Sequence, residues 1–343
     1  MNTKSVDSAQ HDNKGTPWLR IVILTPSPSL SVRQVAEQYN IVGLSSYTDM
    51  PFEDTPSTGL STFFRRYFNQ IRGRQTLQHW AAQRDIPFKF YTRSDPEIFA
   101  NWLVSRQPDL LITCRAPILP ESVFSVPRLG SINIHYSRLP EYRGGSPLLW
   151  QIVNGETQGG VTIHFIDPGI DTGPIIEQAS VDFPNGASER EILHLLEVLT
   201  SQTLRSVLER LTAGDCKGYP QPGKSSTSFA GNIATPSLVE FIDWANWPVE
   251  KIWRTLRYME YWPQGYGRLQ GWRKLLRWKV GRIVSRHRES GMNIWKLETR
   301  GLKAMIMCPS GSVELVPEFH LPTLVKGVFY KMSGSSSPFF GRS

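Results

Sequence analysis

Between Leu19 and Phe183, short apolar runs rich in β-branched residues alternate with segments of helical spacing. No other feature of this chain constrains its fold so strongly. Leu19 to Leu24, Ile41 to Leu44, Phe88 to Tyr91, Asp109 to Thr113 and Gly130 to His135 read as strands. Phe63 to Arg84 and Asp95 to about Gln107 carry helical spacing. Strands joined by helical crossovers pair in parallel. The expected fold class is therefore α/β, with a Rossmann-like, mostly parallel, doubly wound sheet. Val161 to Ile166 and Pro174 to Phe183 add two more strands. Ser146-Pro147 opens a short helix closed by Asn154-Gly155. Ser188-x-x-Glu191 is a capping box ahead of an amphipathic helix that ends at Gly214.

The pattern then changes. Tyr219 to Ser228 is rich in Pro, Gly, Ser and Lys, a linker composition. Val239 to Met259 suggests a helical entry. Trp278, Ile283, Ile294, Leu297, Ala304 to Met307 and Val313 to Leu315 read as strands of a smaller β-barrel-like (OB-like) domain. At 343 residues the chain has room for about two domains. The expected organisation is a flexible leader (1–17), a catalytic domain (18–218), a linker (219–232), a basic C-terminal domain (233–331) and a disordered tail (332–343).

The net charge of +8 is concentrated in one place. Between Lys251 and Arg300 there are thirteen Lys and Arg against three Glu, a balance of +10, so the rest of the chain sums to −2. An anionic partner is expected for that segment. No apolar run approaches the ~18 residues of a membrane span, and Met1 to Pro17 lacks the apolar core of a signal peptide. Cys114, Cys216 and Cys308 lie far apart, which argues against a disulfide framework or structural zinc. The expectation is a cytoplasmic protein with no membrane partner and no metal. Gly265 to Gly271 is one residue off a dinucleotide fingerprint and reads as a turn.

The chemistry is concentrated at Asn133-Ile134-His135. A side-chain period of two puts Asn133 and His135 on one face of a strand, at the carboxyl end where open α/β sheets bind ligands. A Pro/Gly loop follows, Ser137 to Pro147. Asp167-Pro-Gly-Ile-Asp-Thr-Gly173 is a tight turn with two carboxylates. An amide, an imidazole and a carboxylate are the parts acyl transfer to an amine needs: one polarises the carbonyl, one moves protons, one orients the ring. By spacing alone, the same residues equally suit packing and turn formation. His164, mid-strand beside Thr162, reads as structural, and Cys114 as a packing residue.

A longer pattern narrows the choice. Asn133-Ile-His135, Ser137-Arg-Leu-Pro140, Tyr142-Arg-Gly144, Gly160-Val-Thr-Ile-His164 and Asp171-Thr-Gly173 together resemble the signature of 10-formyltetrahydrofolate-dependent formyltransferases, over about Leu19 to Leu211. Ile242-Asp-Trp244 and Arg257 to Tyr266 resemble the C-terminal domain of methionyl-tRNA formyltransferases. The resemblance implies that Asn133 holds the formyl oxygen, that His135 assists proton transfer, and that Asp171 orients His135 and relays a proton from the amine. It implies a 10-formyltetrahydrofolate donor bordered by Leu119, Ser137, Arg138, Leu139 and Pro140, and no metal. Arg138, in place of the family's usual Leu, and Cys114 to Pro117 depart from the pattern.

Arg273, Lys274, Arg277, Lys279 and Arg282, interleaved with Trp272, Trp278 and Trp295, suit phosphate contacts and base stacking. They equally suit the solvated face of a hairpin with tryptophans in its core. The expected acceptor is methionyl-tRNA. A small amine such as a nucleotide-linked amino sugar, and hydrolysis of the formyl donor, are the alternatives.

Overall fold

The structure is a computed structural model and describes residues 19–47, 76–214, 217–233, 238–263, 273, 276–286 and 295–318. The expected leader and tail, residues 63–75 of the predicted helix 63–84, Cys216, the Gly265–Gly271 turn, Trp272 and Lys274 lie outside these residues.

Strands β1 (Arg20–Leu24), β2 (Asn40–Tyr47), β3 (Phe88–Tyr91), β4 (Leu110–Cys114), β5 (Ser131–His135), β6 (Gln158–Phe165) and β7 (Ile175–Asp182) form one sheet in the order β3-β2-β1-β4-β5-β6-β7. The pairings from β3 to β5 are parallel and β5–β6 is antiparallel. Helices α1 (Leu30–Gln38), α2 (Leu77–Ala82), α3 (Pro96–Arg106), α4 (Glu121–Phe124) and α5 (Pro147–Asn154) lie between successive strands, and α6 (Glu189–Thr212) follows β7. The centre of the sheet is buried on both faces, as a parallel sheet requires: Ile21, Val22, Leu24, Leu110 and Leu111 have no exposed surface. The chain leaves β1 for one side and returns to β4 on the other, so β1/β4 is the switch point beside which ligands gather.

Two compact units emerge: residues 1–147, 160–181 and 195–230, and residues 148–159, 182–194 and 231–343. The first unit thus runs through Ala230 and includes most of the segment with linker composition. The second takes in two short pieces from far upstream, which no shift in composition marks. The piece 182–194 is tied by Arg257 Nε donating to Gly186 O (2.9 Å) and Tyr258 OH to Glu189 (2.8 Å), and the piece 148–159 by Trp150 Nε1 donating to Gly231 O (2.9 Å) and by the Trp150 ring against Phe241.

In the second unit, α7 (Leu238–Phe241) and α8 (Val249–Tyr258) replace one continuous helical entry. Asp243 breaks it by accepting from the Ala245 and Asn246 amides, and Pro248 restarts it at the α8 N-cap. Strands β8 (Arg277–Ser285), β9 (Lys296–Arg300), β10 (Lys303–Cys308) and β11 (Gly311–Glu318) form an antiparallel sheet ordered β8-β11-β10-β9. Its buried face joins Trp278, Val280, Ile306, Val313 and Leu315 to Ile252 and Leu256 of α8. Among the described residues no helix is long and apolar enough to cross a membrane.

The capping box is formed as the sequence predicts. The Ser188 amide and hydroxyl both donate to Glu191 Oε2 at 2.7 Å, and the Glu191 amide reaches back to Ser188 Oγ at 3.4 Å. The Ser188 amide bond is the main cause holding the Glu191 carboxyl below its ordinary value. A depressed carboxyl stabilises the fold above its unfolded pKa, and that contribution fades as pH falls through the folded one. Ser188→Ala should therefore cost about 1 kcal/mol at neutral pH and return the Glu191 titration, followed by carboxyl NMR, toward the ordinary value.

Candidate active site

Three strands lay a row of side chains across one face of the first unit's sheet. In the strand register Thr113 of β4 lies beside Asn133 of β5, and Asn133 opposite His164 of β6. Thr113 Oγ1 donates to Asn133 Oδ1 (2.8 Å), which fixes the amide so that Nδ2 faces away from Thr113. His164 Nδ1 donates to the Phe165 carbonyl (2.8 Å), so the neutral ring presents a lone pair at Nε2, and Asn133 Nδ2 donates to it (3.2 Å). Burial is the main cause that lowers the His164 pKa to about 4, with His135 adding to it. The residue read from sequence as structural belongs to this constellation. The family pattern contains His164, but only the β5–β6 pairing sets it against Asn133, 31 residues away.

Asp171 closes the group. Its Oδ1 lies 3.5 Å from Asn133 Nδ2 and 3.7 Å from His164 Nε2, and its Oδ2 lies 3.5 Å from His135 Nδ1. The Gly144 amide donates to Oδ2 at 2.9 Å. His135 Nε2 donates to the Tyr142 carbonyl at 3.0 Å. Both His135 nitrogens thus face oxygen acceptors. His135 is buried, whereas Asp171 keeps 15% of its side chain exposed and Asn133 is also partly exposed, so these two are open to a ligand. Asp171 adopts φ +52°, a left-handed conformation that aims its carboxylate back over the sheet.

The turn and loop are tied down by the stretch whose composition reads as a linker. Gln221 Nε2 donates to the carbonyls of Asp171 and Gly173, both at 2.8 Å, and Gln221 Oε1 accepts from Arg143 Nη2 at 2.6 Å. The Tyr142 amide donates to Thr227 Oγ1 at 2.7 Å. Asp167, the other carboxylate of the turn, accepts from Thr172 Oγ1 and the Gly169 amide, as a turn former does. Gln221 and Thr227 went unseen in the sequence because their partners lie 48 to 85 residues away.

The residues expected to border the donor divide into two kinds. Ser137 is buried with its hydroxyl spent on the Glu141 carbonyl (2.6 Å), and Leu139 and Leu119 are buried. These shape the loop from below. Pro140 is buried too, and its peptide bond to Leu139 is cis. Arg138 is exposed. Burial pushes the Cys114 thiol up to about 11, in keeping with a packing residue.

The basic strand departs from the stacking reading. Trp278 is 1% exposed, and Trp295 packs against Trp244 and Trp262, so neither ring offers a platform for bases. The described cations share the opposite face. Arg277 and Lys279 alternate with buried Trp278 and Val280, and a register shift opposite Gly281 and Arg282 keeps Arg282 on their side. Arg277 lies over the Tyr261 ring at 3.5 Å, Lys279 lies 3.7 Å from Glu260, and Arg282 3.6 Å from Glu314. Arg273 is bonded to the Gly301 carbonyl.

A family profile described as formyl transferase matches residues 74–208, which hold Asn133, His135 and Asp171. Those residues therefore carry a formyl transferase domain. The chain is 26% identical over 307 residues to a methionyl-tRNA formyltransferase of Acetivibrio thermocellus, covering 86% of this chain and 90% of that one. It is 31% identical over 213 residues to that of Enterococcus faecalis, 62% of this chain and 66% of the relative. Among solved structures it resembles an N-formyltransferase of Helicobacter canadensis with a TM-score of 0.56 at 15% identity, covering 88% and 100% of the two chains. It also resembles HypX of Aquifex aeolicus, TM-score 0.52 at 17% identity, covering 87% of this chain and spanning 43% of that larger protein. Both likenesses are of fold.

Because the native state keeps His164 neutral while the unfolded chain takes up a proton near pH 6.5, stability should fall as pH drops from about 6.5 to about 4. His164→Gln should flatten that part of the stability-versus-pH curve, measured by urea unfolding. An unchanged curve would show that His164 does not carry this linkage.

Proposed function

We propose that Asn133, His135 and Asp171 move a formyl group from 10-formyltetrahydrofolate to the amine of methionyl-tRNA, in the cytoplasm. The observation that carries this reading is the Asp171 carboxylate within 3.5 Å of both the Asn133 amide and the His135 ring. Of the Asn133 N–H bonds, the one to Asp171 is long, so it is the one that can be given up to a formyl oxygen as negative charge develops there. Asp171, exposed to solvent on one side, takes the proton released when the amine nitrogen bonds the formyl carbon. The His135 ring holds that carboxylate in place and shares its proton through Nδ1. As the bond between the formyl carbon and N10 of the donor breaks, the proton taken up by Asp171 is passed on to N10, which completes the exchange and restores the carboxylate. The donor supplies an activated one-carbon group, and no oxidant or metal enters the balance. Backbone along Ser137 to Pro140 and at Leu119 borders the donor, with Arg138 facing it from the surface.

The tRNA acceptor is supported by the names of the relatives and by the outward face of β8. A small amine linked to a nucleotide is the second reading. It is favoured by the partial neutralisation of Lys279 and Arg282 by Glu260 and Glu314, and the similar Helicobacter canadensis enzyme was crystallised with folinic acid and dTDP-3-aminofucose.

Asp171→Asn and His135→Ala should each lower kcat by about 10²–10⁴-fold, and Asn133→Ala by about 10²–10³-fold, with folding retained by circular dichroism. A His135→Ala enzyme turning over near the normal rate would remove that residue from the mechanism.

If Arg277, Lys279 and Arg282 each neutralise one tRNA phosphate, the slope of log K against log salt should be about −2 to −3. A flat response, with formyl transfer onto a nucleotide-linked amino sugar, would favour the second reading.

A further inference from the structure

A cavity of about 260 Å³ lies in the second unit, and Glu250, Trp253, Arg254, Arg282 and Arg286 help to line it. Three guanidinium groups against one carboxylate leave the wall with an excess of two positive charges. Arg286 Nε donates to Glu250 at 2.9 Å, and Arg282, 84% exposed, lies 3.6 Å from Glu314. Arg254 differs from both. Its Nε is buried with no hydrogen-bond partner among the described residues. A buried donor left unpaired is costly, so its retention calls for an acceptor from outside the chain.

The wall behind it is built for this placement. Consecutive α8 residues Trp253 and Arg254 each rest on a glycine in a left-handed conformation, Gly186 (φ +69°) and Gly155 (φ +80°). A Cβ on Gly155 would come within 2.8 Å of Arg254 Nη2, and one on Gly186 would collide with the Trp253 ring. Trp253 is anchored by its Nε1 donating to the Gly281 carbonyl at 2.7 Å. The cavity is smaller than the ~300–1,000 Å³ that encloses a drug-sized ligand. It therefore suits one oxyanion group of a larger molecule.

We infer that this cavity binds a phosphate group, with Arg254 supplying the unpaired buried donor and Arg282 and Arg286 the flanking charge. The planar guanidinium fork matches a phosphate's oxygens, and three such groups outweigh Glu250. The same group occurs at the end of a nucleoside diphosphate and along a polynucleotide backbone. The inference holds whichever amine accepts the formyl group.

The test is calorimetric titration of the full chain with inorganic pyrophosphate at low salt. Saturable one-site binding is expected, weakened at least tenfold in Arg254→Gln. Arg286→Gln, at an exposed position, serves as a second variant if Arg254→Gln fails to fold, and should weaken binding at least threefold. A nucleoside diphosphate and a short polynucleotide, each competed against pyrophosphate, identify the source by which displaces it at lower concentration. Absence of pyrophosphate binding by the folded protein, or equal affinity in both arginine variants, would overturn the inference. Formyl transfer is assayed separately, so either reading can fail alone.

Discussion

The carboxylate of Asp171 is the point on which the site depends. It faces an imidazole nitrogen and an amide nitrogen from strand β5 and a backbone N–H from the loop after it, and these neighbours are held in turn by others. Asn133 is set by Thr113 and His164, His135 by the Tyr142 carbonyl, and the turn carrying Asp171 by Gln221. A carboxylate of mixed exposure can accept a proton at the surface while its buried side stays fixed. That combination is what acyl transfer to an amine needs from a general base.

The sheet supplies this precision at little entropic cost. Thr113, Asn133 and His164 sit on adjacent strands in ladder register, so their backbone positions follow from pairing that the fold needs in any case. Only the loop 136–146 and the turn 167–173 must be held by side-chain bonds, and these are where Tyr142 and Asp171 adopt positive φ. The exactness of a site built this way lies in the strands, and the adjustable part in two short connections.

How much of this was legible in the sequence depended on the range of the signal. Strands, the capping box and the Asn133/His135 face follow from periods of two and 3.6, which are local, and all appear in the structure. The triad's third member was reachable through the family pattern, because Asp171 stands at a fixed distance from His135. The bond from Asn133 to His164 and the roles of Gln221 and Thr227 were not, since each joins partners tens of residues apart that only strand pairing or loop docking brings near. The tryptophans of the basic strand were ambiguous for another reason. Alternation says that Trp278 and Arg277 face opposite ways, but not which face is covered, and α8 decides that. The upstream pieces of the second unit left no compositional trace because their partners, Gly231, Phe241, Arg257 and Tyr258, lie tens of residues downstream.

The stretch from Lys217 to Ala230 looks like a connector and is a strap. The Tyr219 backbone pairs with Ile175 in both directions, Gln221 holds the Asp171 turn, Thr227 holds the amide of Tyr142, and Ala230 exchanges bonds with Arg143 and Ser146. The first unit therefore ends in sequence after this strap and not at the end of the capped helix. A chimera that exchanges everything after the capped helix would carry away the strap and free both loops of the site. One joined beyond Ala230 would keep them, so the portable form of this domain is longer than its regular secondary structure suggests.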